Sequence, residues 1–426
     1  MSTNVHGMAP RGDITGEPMK NIMNIVIVGH VDHGKSTLIG RLFYDTDSLP
    51  LGVADEIRKT CEMLGRDMEF AYILDSLSEE REQNITIDTT QSFFKTAKRK
   101  YAIIDAPGHK EFLRNMITGA AQADAGVLIV SADEGVQEQS KRHAYMLSLL
   151  GLKQIVVAIN KMDRFGYEQK RFDEIKNDMV AFLTKLGIAP RQVIPISARE
   201  GDNVANKSKN MPWYAGVTML EALDTFTTKD EEKNKPLRFP VQDVYKINDK
   251  RITVGRVESG SLGVGDAVTF LPSGKTTTVK TIEQFLSNKT AANAGECIGI
   301  TTTDPLFVER GEVMVKTSEQ KPAPTNTFQA KVFWMARHPV GVNEKIMLRC
   351  ATQEVQCVIE AIHQRIDSSN VTVIEENAST LNETDVGEVT IKTTAPIVVE
   401  SIKDIEELGR FVLVKGNDVC GGGLVS

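Results

Sequence analysis

Cysteine is scarce in this sequence: the chain has five, an odd number, and no two of them form a C-x-x-C pair. Disulfide frameworks need paired cysteines, and zinc sites commonly draw their ligands from closely spaced pairs. The pattern therefore argues against a disulfide framework and against a zinc site. It favours a reducing compartment, so we expect a cytoplasmic location.

Long apolar runs are also missing. No part of the sequence approaches the ~20 consecutive apolar residues that cross a bilayer, so we expect no membrane partner. Residues 1–20 lack the apolar centre of a signal peptide, and we expect a loose N-terminal tail there. The formal net charge of −7 provides no general attraction to nucleic acid.

The first large segment, from residue 23 to about residue 226, alternates short apolar runs with amphipathic stretches of helical period. The apolar runs are residues 25–28, 101–104, 125–130, 155–159 and 193–196. The helical patterns are residues 110–121, 137–150 and 171–186. Strands separated by helices predict an α/β domain with a mostly parallel sheet and helices on both of its faces.

A different pattern follows a charged, proline-ended stretch at residues 228–236, which is typical of a linker. Beyond it, short alternating runs are interrupted by glycine and proline turns, and a second proline-rich break occurs at 319–324. This pattern predicts two all-β barrels. The expected organisation is a tail at 1–20, an α/β domain at 21–228 and barrels at 237–318 and 325–426.

A phosphate-binding loop occupies residues 29–36, Gly-His-Val-Asp-His-Gly-Lys-Ser, between the first predicted strand and a helical segment. Its glycines let backbone N–H groups wrap phosphates, Lys35 places a charge against the β- and γ-phosphates, and the Ser36 hydroxyl can ligate Mg²⁺. The predicted phosphate-binding residues are Gly29, His30, Val31, Asp32, His33, Gly34, Lys35, Ser36, Thr37 and Gly108. The loop predicts that a nucleoside triphosphate binds here.

Two further segments complete the predicted magnesium site. Asp105 follows the apolar run 101–104 and suits a Mg²⁺-water ligand, while Gly108 can donate its amide to the γ-phosphate. Thr86, in Asn-Ile-Thr-Ile-Asp, can bind Mg²⁺ and the γ-phosphate and release them on hydrolysis. The sequence therefore predicts Ser36, Thr86 and Asp105 as metal ligands, with Thr86 and Asp105 in the switch regions.

We expect the base to be recognised by the segment Asn160-Lys161-Met162-Asp163, which follows another apolar run. The Asp163 carboxylate can accept hydrogen bonds from the N1–H and N2–H₂ groups of guanine, and adenine has no such donor pair. We expect Asn160 to tether the loops and the Lys161 stem to cover the base plane. Ser197 and Ala198 are expected to supply a backbone N–H for guanine O6. The predicted cofactors are GTP and Mg²⁺.

Together these motifs and the two barrels resemble the translation-factor class of GTPases, of the elongation factor Tu/1-alpha type, over nearly the whole chain from Asn24. The resemblance implies an α/β P-loop GTPase domain followed by two all-β barrel domains. It implies that His109 orients the hydrolytic water, and that Val31 and Ile85 form an apolar gate for its approach. Asn84 departs from the glycine usual in the family, which would alter closure of the first switch.

Within this class, the sequence most resembles the GTPase subunit of ATP sulfurylase (sulfate adenylyltransferase subunit 1). The resembling stretches are residues 81–83, 134–143, 197–203, 333–336 and 421–423. This resemblance implies that GTP hydrolysis drives formation of adenylyl sulfate and pyrophosphate from ATP and sulfate. The partner would be a separate adenylylating catalytic subunit, because no S-G-G-x-D-S adenylation loop occurs in this chain.

The alternative function is delivery of aminoacyl-tRNA to the ribosome by an elongation factor 1-alpha-like GTPase. His30, His33 and the pair Asp105-Ala106 resemble translation factors more closely. Residues 237–426, however, contain 20 Lys and Arg against 24 Asp and Glu, a net charge of −4. A surface that carries tRNA needs clustered positive charge, so sulfate activation is the principal prediction and tRNA delivery the alternative.

Overall fold

The computed structural model describes residues 22–49, 70, 91–104, 123–149, 151–152, 154–227, 234–247, 250–284 and 287–426. The predicted tail at 1–20 and the predicted helix at 110–121 lie outside these residues. So does most of the predicted linker at 228–236.

The first domain is built on a six-stranded sheet with the order β2-β3-β1-β4-β5-β6. Its strands are β1 (Ile22–Gly29), β2 (Gln91–Lys95), β3 (Lys100–Ile104), β4 (Ala125–Ser131), β5 (Ile155–Asn160) and β6 (Gln192–Pro195). Strands β1 and β3 to β6 are parallel, whereas the edge strand β2 runs antiparallel to β3. The predicted mostly parallel sheet is therefore confirmed.

Helices cover both faces of this sheet. They are α1 (Lys35–Asp45), α2 (Glu138–Leu149), α3 (Gln169–Lys185) and α4 (Met219–Leu223), with a 3₁₀ helix at Met162–Phe165. One apolar layer joins the sheet to α2 and α3, and the other joins it to α1 and α4. Burial on both faces explains why β4 and β5 read as continuous apolar runs. Within the described residues, every helix is too short or too polar to cross a membrane.

The second domain is a β-barrel. Its strands are β7 (Phe239–Ile247), β8 (Lys250–Arg256), β9 (Ser261–Gly263), β10 (Ala267–Leu271), β11 (Lys275–Gln284), β12 (Ser287–Lys289), β13 (Ala291–Asn293), β14 (Cys297–Thr302) and β15 (Val313–Lys316). Seven of these strands form one antiparallel sheet, and the pairing of β10 with β11 joins its two halves. Strands β9 and β13 form a separate two-stranded ribbon.

The third domain is a second β-barrel. Its elements are β16 (Thr325–Trp334), β17 (Val340–Gly341), β18 (Lys345–Cys350), β19 (Gln353–Asp367), β20 (Thr372–Ala378), β21 (Thr380–Leu381), β22 (Asp385–Ile397), α5 (Glu406–Gly409), β23 (Arg410–Lys415) and β24 (Asp418–Val425). Strand β18 pairs with both β19 and β23, so most of the sheet curves back on itself. The predicted order of one α/β domain and two barrels is confirmed.

The third domain contacts both of the others through apolar residues, and it adds an ion pair to the second domain. Against the first domain it presents Phe333 and Met335, which join the apolar layer formed around α2. Against the second domain, the buried Arg238 guanidinium donates to both carboxylate oxygens of Glu400 at 2.5 and 2.8 Å. A buried charge needs such a partner, because removing one member leaves the other uncompensated. The two barrels are thus joined by this ion pair and by a cluster of buried apolar residues drawn from both of them.

Candidate functional site

Those predicted nucleotide-binding residues that the structure describes lie at one edge of the first sheet. The phosphate loop follows β1, residues 132–135 follow β4, the segment 160–163 ends β5, and residues 197–198 follow β6. Carboxyl ends of parallel strands meet at the same edge, and ligands of open α/β sheets bind there. Residues far apart in sequence are therefore brought together by the topology alone.

The phosphate loop has the backbone conformation of an anion cradle. Asp32 and Gly34 both have positive φ, at 63° and 88°, on either side of His33. A Cβ at Gly34 would lie 2.4 Å from Asn160 Nδ2, and one at Gly29 would lie 2.6 Å from the Ile129 carbonyl oxygen. Each distance is well below van der Waals contact, so both positions require glycine. Successive amides in such a turn face inward and favour negative charge.

The loop runs directly into helix α1. Lys35 is its first residue, and Nζ donates to the carbonyl oxygens of Gly29 at 2.8 Å and His30 at 3.0 Å. The side chain thus folds back across the loop toward the position predicted for the phosphates. Ser36 is exposed and Thr37 is half-buried in the same turn. Because the first N–H groups of a helix lack intrahelical partners, this arrangement fits phosphate oxygens and a magnesium ion beside Ser36.

The side chains of the two histidines in the loop pack against each other. His33 is fully buried, with Nδ1 3.3 Å from the Ile129 oxygen and Nε2 3.2 Å from Glu134 Oε2. Burial lowers the pKa of the ring, although both acceptors act in the opposite direction. The His30 ring packs edge-on against it at 5.3 Å. Any phosphate contact of His33 therefore comes from its backbone, and its side chain serves the loop itself.

Val31 is the most exposed large apolar residue of the phosphate loop, with 57% of its surface accessible. An apolar side chain in water at this position is compatible with the predicted gate, which stays a prediction. Its predicted partner Ile85 lies outside the described residues, as do Asn84, Thr86, Asp105, Gly108 and His109. The predicted water-orienting, switch and two of three metal positions therefore also stay predictions.

Asn160 joins three loops at the base end of the site. Its buried side chain donates from Nδ2 to the His33 carbonyl oxygen at 2.8 Å and accepts from the Ala198 amide at 2.9 Å. This geometry is compatible with the predicted tethering role, which stays a prediction. The Ser197 amide donates to the Asp202 carbonyl oxygen at 3.2 Å. Because the Ala198 amide already donates to Asn160 Oδ1, any hydrogen bond from that amide to guanine O6 would be shared with Asn160.

Lys161 and Asp163 border the predicted base plane. Lys161 has a positive φ of 65°, and its Nζ lies 3.0 Å from Asp133 Oδ2. Asp163 is half-buried in the following 3₁₀ helix. Arg164 also contacts Asp133, at 2.8 Å. Partial burial raises the pKa of Asp133, but hydrogen bonds and charges of Lys161 and Arg164 outweigh it and hold that pKa below its usual value.

Sequence reasoning missed Asp133 and Glu134, which contact both loops of the site. Glu134 begins the stretch 134–143, which was interpreted only as a family resemblance, and Asp133 directly precedes that stretch. The available signal was their position: both directly follow the apolar run 125–130, at the same sheet edge as the other motifs. Like Asp105, a carboxylate at the end of a buried strand is a candidate site residue.

Three family models match this chain in the order of its domains. Residues 20–229 match the elongation factor Tu GTP binding domain, 250–315 match elongation factor Tu domain 2, and 327–426 match the GTP-eEF1A C-terminal domain-like family. Elongation factor 1-alpha of Methanosphaerula palustris is 39% identical over 92% of this chain and 93% of that protein. Elongation factor 1-alpha of Pyrococcus furiosus is 41% identical over 95% of this chain and 97% of that protein.

These relatives overturn the principal functional prediction. Assignment to the GTPase subunit of sulfate adenylyltransferase, with an adenylylating partner and a role in sulfate assimilation, is wrong, because the similar proteins are elongation factors 1-alpha. Two of the stretches that misled, 333–336 and 421–423, contain residues with packing roles. Trp334 lies in the barrel core, and Cβ atoms at Gly421 and Gly423 would lie 3.0 and 2.3 Å from the rings of Trp334 and Phe411. Such constraints follow from barrel packing and say nothing about a client.

The remaining cofactor and enzyme predictions agree with the relatives. The first domain is a GTP-binding domain, the chain is a GTPase, and Mg²⁺ is the usual partner of such enzymes. The alignments, at 39% and 41% identity overall, cover 92% and 95% of the chain and so include the barrels as well as the nucleotide site. The chain belongs to the elongation factor Tu/1-alpha family of translation-factor-class GTPases.

Proposed function

We propose that this protein delivers aminoacyl-tRNA to the ribosome in a GTP-dependent cycle, as an elongation factor 1-alpha-like GTPase of the cytoplasm. One observation carries the proposal. Identity of 39–41% to proteins named elongation factor 1-alpha covers at least 92% of this chain and 93% of each relative compared. The likeness includes both barrels, which are the parts that a client-specific GTPase would vary.

The proposed cycle assigns a role to each predicted nucleotide contact. Lys35 and the amides of the phosphate loop would hold the phosphates, while Ser36, Thr86 and Asp105 would hold Mg²⁺, which would offset phosphate charge. Asp163 selects guanine. His109 orients the attacking water, with Val31 and Ile85 controlling its approach. Loss of the γ-phosphate then releases Thr86 and the loop at Gly108, and the barrels of the proposed domains 237–318 and 325–426 lose their hold on the client.

The outer face of the second domain offers an apolar contact for an RNA end. Tyr245 and Ile247 lie on the same face of β7 and are 51% and 56% exposed. Tyr245 stands opposite Ile252 of β8, which extends the apolar strip across the strand pair. Exposed aromatic rings stack on unpaired nucleobases. This strip supports binding of the single-stranded, aminoacylated end of a tRNA.

The third domain supplies local positive charge although the two barrels are acidic overall. Arg337, His338, Lys415 and the acidic Asp418 line one cleft of about 420 Å³, and Arg337 and His338 are exposed there. Lys415 also pairs with Glu344 at 2.5 Å. Clustered cations bind phosphates whatever the net charge of the domain, because contacts beyond the Debye length are screened. The exposed Arg337 therefore offers a local contact for phosphate on barrels whose net charge is −4.

Protection of the aminoacyl ester tests the proposal. Purified protein loaded with GTP should slow spontaneous deacylation of aminoacyl-tRNA, and the GDP-loaded protein should protect far less. Tyr245→Ala should weaken protection by about tenfold, since stacking of one base is worth ~1–3 kcal/mol. Val264→Ala, an exposed apolar change elsewhere in the same barrel, is the matched control and should leave protection intact.

Two results would contradict the proposal or part of it. Deacylation at the same rate with and without GTP-loaded protein would rule out a carrier of aminoacyl-tRNA. Equal protection by Tyr245→Ala and Val264→Ala would leave the carrier function standing while removing the apolar strip on β7 from it.

A further inference from the structure

Two adjacent carboxylates after strand β4 contact the two ends of the nucleotide site. We propose that Asp133 and Glu134 are positioning residues for GTP: Asp133 holds the base-covering Lys161, and Glu134 holds the phosphate loop through His33. Together they would set the rate at which guanine nucleotide leaves. The inference rests on the assignment of residues 29–36 and 160–163 to GTP, and does not depend on the client of the GTPase.

Asp133 acts at the base end. Its Oδ2 accepts from Lys161 Nζ at 3.0 Å and from Arg164 Nη1 at 2.8 Å. Lys161 also has a left-handed backbone conformation, which costs free energy in a residue with a side chain. The ion pair helps to keep that residue in place, so the alkyl stem is fixed before a base arrives. Preorganisation of this kind strengthens binding because less freedom is lost.

Glu134 acts at the phosphate end. Its Oε2 lies 3.2 Å from Nε2 of His33, a ring with no solvent access. The backbone of the same residue is held on its other side, because the His33 carbonyl accepts from Asn160. His33 lies between Asp32 and Gly34, the two positive-φ residues of the cradle. Any displacement of the His33 ring is thus transmitted directly to the backbone that faces phosphate.

The segment that carries both carboxylates is itself firmly held. The Ala132 amide donates to the Asn160 carbonyl oxygen at 2.8 Å, and the Gly135 amide donates to the Ser131 carbonyl oxygen at 2.9 Å. From α3, Arg171 Nε donates to the Ala132 carbonyl oxygen at 2.9 Å. A segment fixed at three points can hold two loops in a constant relative position. That is the structural basis for treating Asp133 and Glu134 as one device.

The test uses the full chain and two probes. Release of ribose-labelled fluorescent GDP reports on the whole nucleotide, and competition by inorganic tripolyphosphate reports on the phosphate end alone. The variants are Asp133→Ala and Glu134→Ala, with Asp133→Asn and Glu134→Gln as conservative forms that keep an acceptor oxygen. Glu138→Gln is the matched control, since that carboxylate is 71% exposed and pairs with Arg142 on the surface of α2.

The two alanine variants should differ in a way that general loosening of the fold would not produce. Asp133→Ala should release GDP about tenfold faster, the value of one charge-assisted hydrogen bond, with tripolyphosphate affinity unchanged. Glu134→Ala should both speed GDP release and weaken tripolyphosphate by several-fold. The conservative forms should recover part of each loss, and Glu138→Gln should match the wild type.

Several outcomes would overturn the inference. GDP release within about twofold of wild type in both alanine variants would remove any positioning role. Equal losses in both assays for both variants, with no recovery in Asp133→Asn or Glu134→Gln, would indicate a structural role only. A wild-type chain that binds no labelled GDP would instead contradict the assignment of the loops, and so is distinguishable from failure of the inference.

Discussion

In the first domain, the conspicuous polar residues that follow β1 and β5 point to one edge of the sheet, where Asn160 and the phosphate loop meet. In the third domain, the conspicuous residues point inward. Trp334 of β16 stands opposite Gly421 of β24, and the ring fills space that a side chain at Gly421 would need. Both sets are distinctive in sequence, yet one set faces a ligand and the other faces a barrel core.

This difference explains which resemblances are informative about function. A polar residue at the end of a buried strand contributes little to packing, so its presence indicates chemistry. A tryptophan or a glycine run in a barrel satisfies volume requirements that hold for any client. Surface residues such as Arg337 and Tyr245, rather than Trp334, are therefore where differences between clients should be sought. Three substitutions test this contrast between the two domains.

The largest effect is expected for Asp163→Asn in the GTPase domain. An asparagine amide matches the N1–H donor and C2 carbonyl of xanthine, whereas guanine would present two donors to it. GTP affinity should fall by about a thousandfold, and xanthosine triphosphate should bind in its place. Competition of both nucleotides against a fluorescent guanine nucleotide measures the exchange. The fold should be unaffected, because Asp163 is only half-buried.

Asp178→Asn is the control for that exchange, since Asp178 is an exposed carboxylate on α3. It removes the same charge from the same domain, so nucleotide preference should not change. Retained selectivity for GTP in Asp163→Asn would contradict the proposed reading of the base and would weaken the contrast between the two domains.

The converse effect is expected for Trp334→Ala in the third domain. The buried ring packs in the barrel core and its Nε1 donates to the His338 carbonyl oxygen at 2.8 Å. Truncation should lower the free energy of unfolding of this domain by about 3–5 kcal/mol, while GTP affinity stays near wild type. Denaturant unfolding followed beside nucleotide binding measures both. Trp334→Phe should cost less, and a loss of GTP affinity without a loss of stability would contradict the packing role.

Much of the fold follows from local pattern. Strands β4 and β5 begin where their apolar runs begin and extend one residue beyond them, because strands buried on both faces carry an unbroken apolar signal. The start of α1 follows from Gly34, the residue that leaves the cradle. The antiparallel direction of β2 was not predicted, since strand direction depends on which edge a connection reaches and not on the residues of the strand.

The contacts of Asp133 and Glu134 were beyond sequence reasoning for a related reason. Their partners, Lys161 and His33, are 28 and 101 positions away, and only the sheet order places them beside β4. The client was predicted wrongly because short stretches such as 333–336 and 421–423 were interpreted as marks of one family, and because the net charge of the barrels was taken to disfavour tRNA. The motifs at strand ends predicted GTP binding correctly, because both their residue types and their position at the carboxyl edge of the sheet indicate a nucleotide site.

The smallest effect is expected for Arg337→Ala on the third domain, where a surface residue should carry information about the client. Removing one phosphate contact should weaken binding of tRNA by the GTP-loaded protein by several-fold. The slope of log affinity against log salt concentration should become shallower by about one. Filter binding over a series of salt concentrations measures both quantities. Arg349→Ala is the control, because Arg349 is exposed in the same barrel and pairs with Glu354 at 2.8 Å.

Equal losses of tRNA affinity in Arg337→Ala and Arg349→Ala would show that binding depends only on the total charge of the barrel. The cleft would then make no specific contact with tRNA. Unchanged tRNA affinity in both variants would show that tRNA does not bind at either of these positions. Both variants remove one positive charge from the same domain, so net charge is matched between them. A difference therefore measures position, which is the property that separates the surface of the third domain from its core.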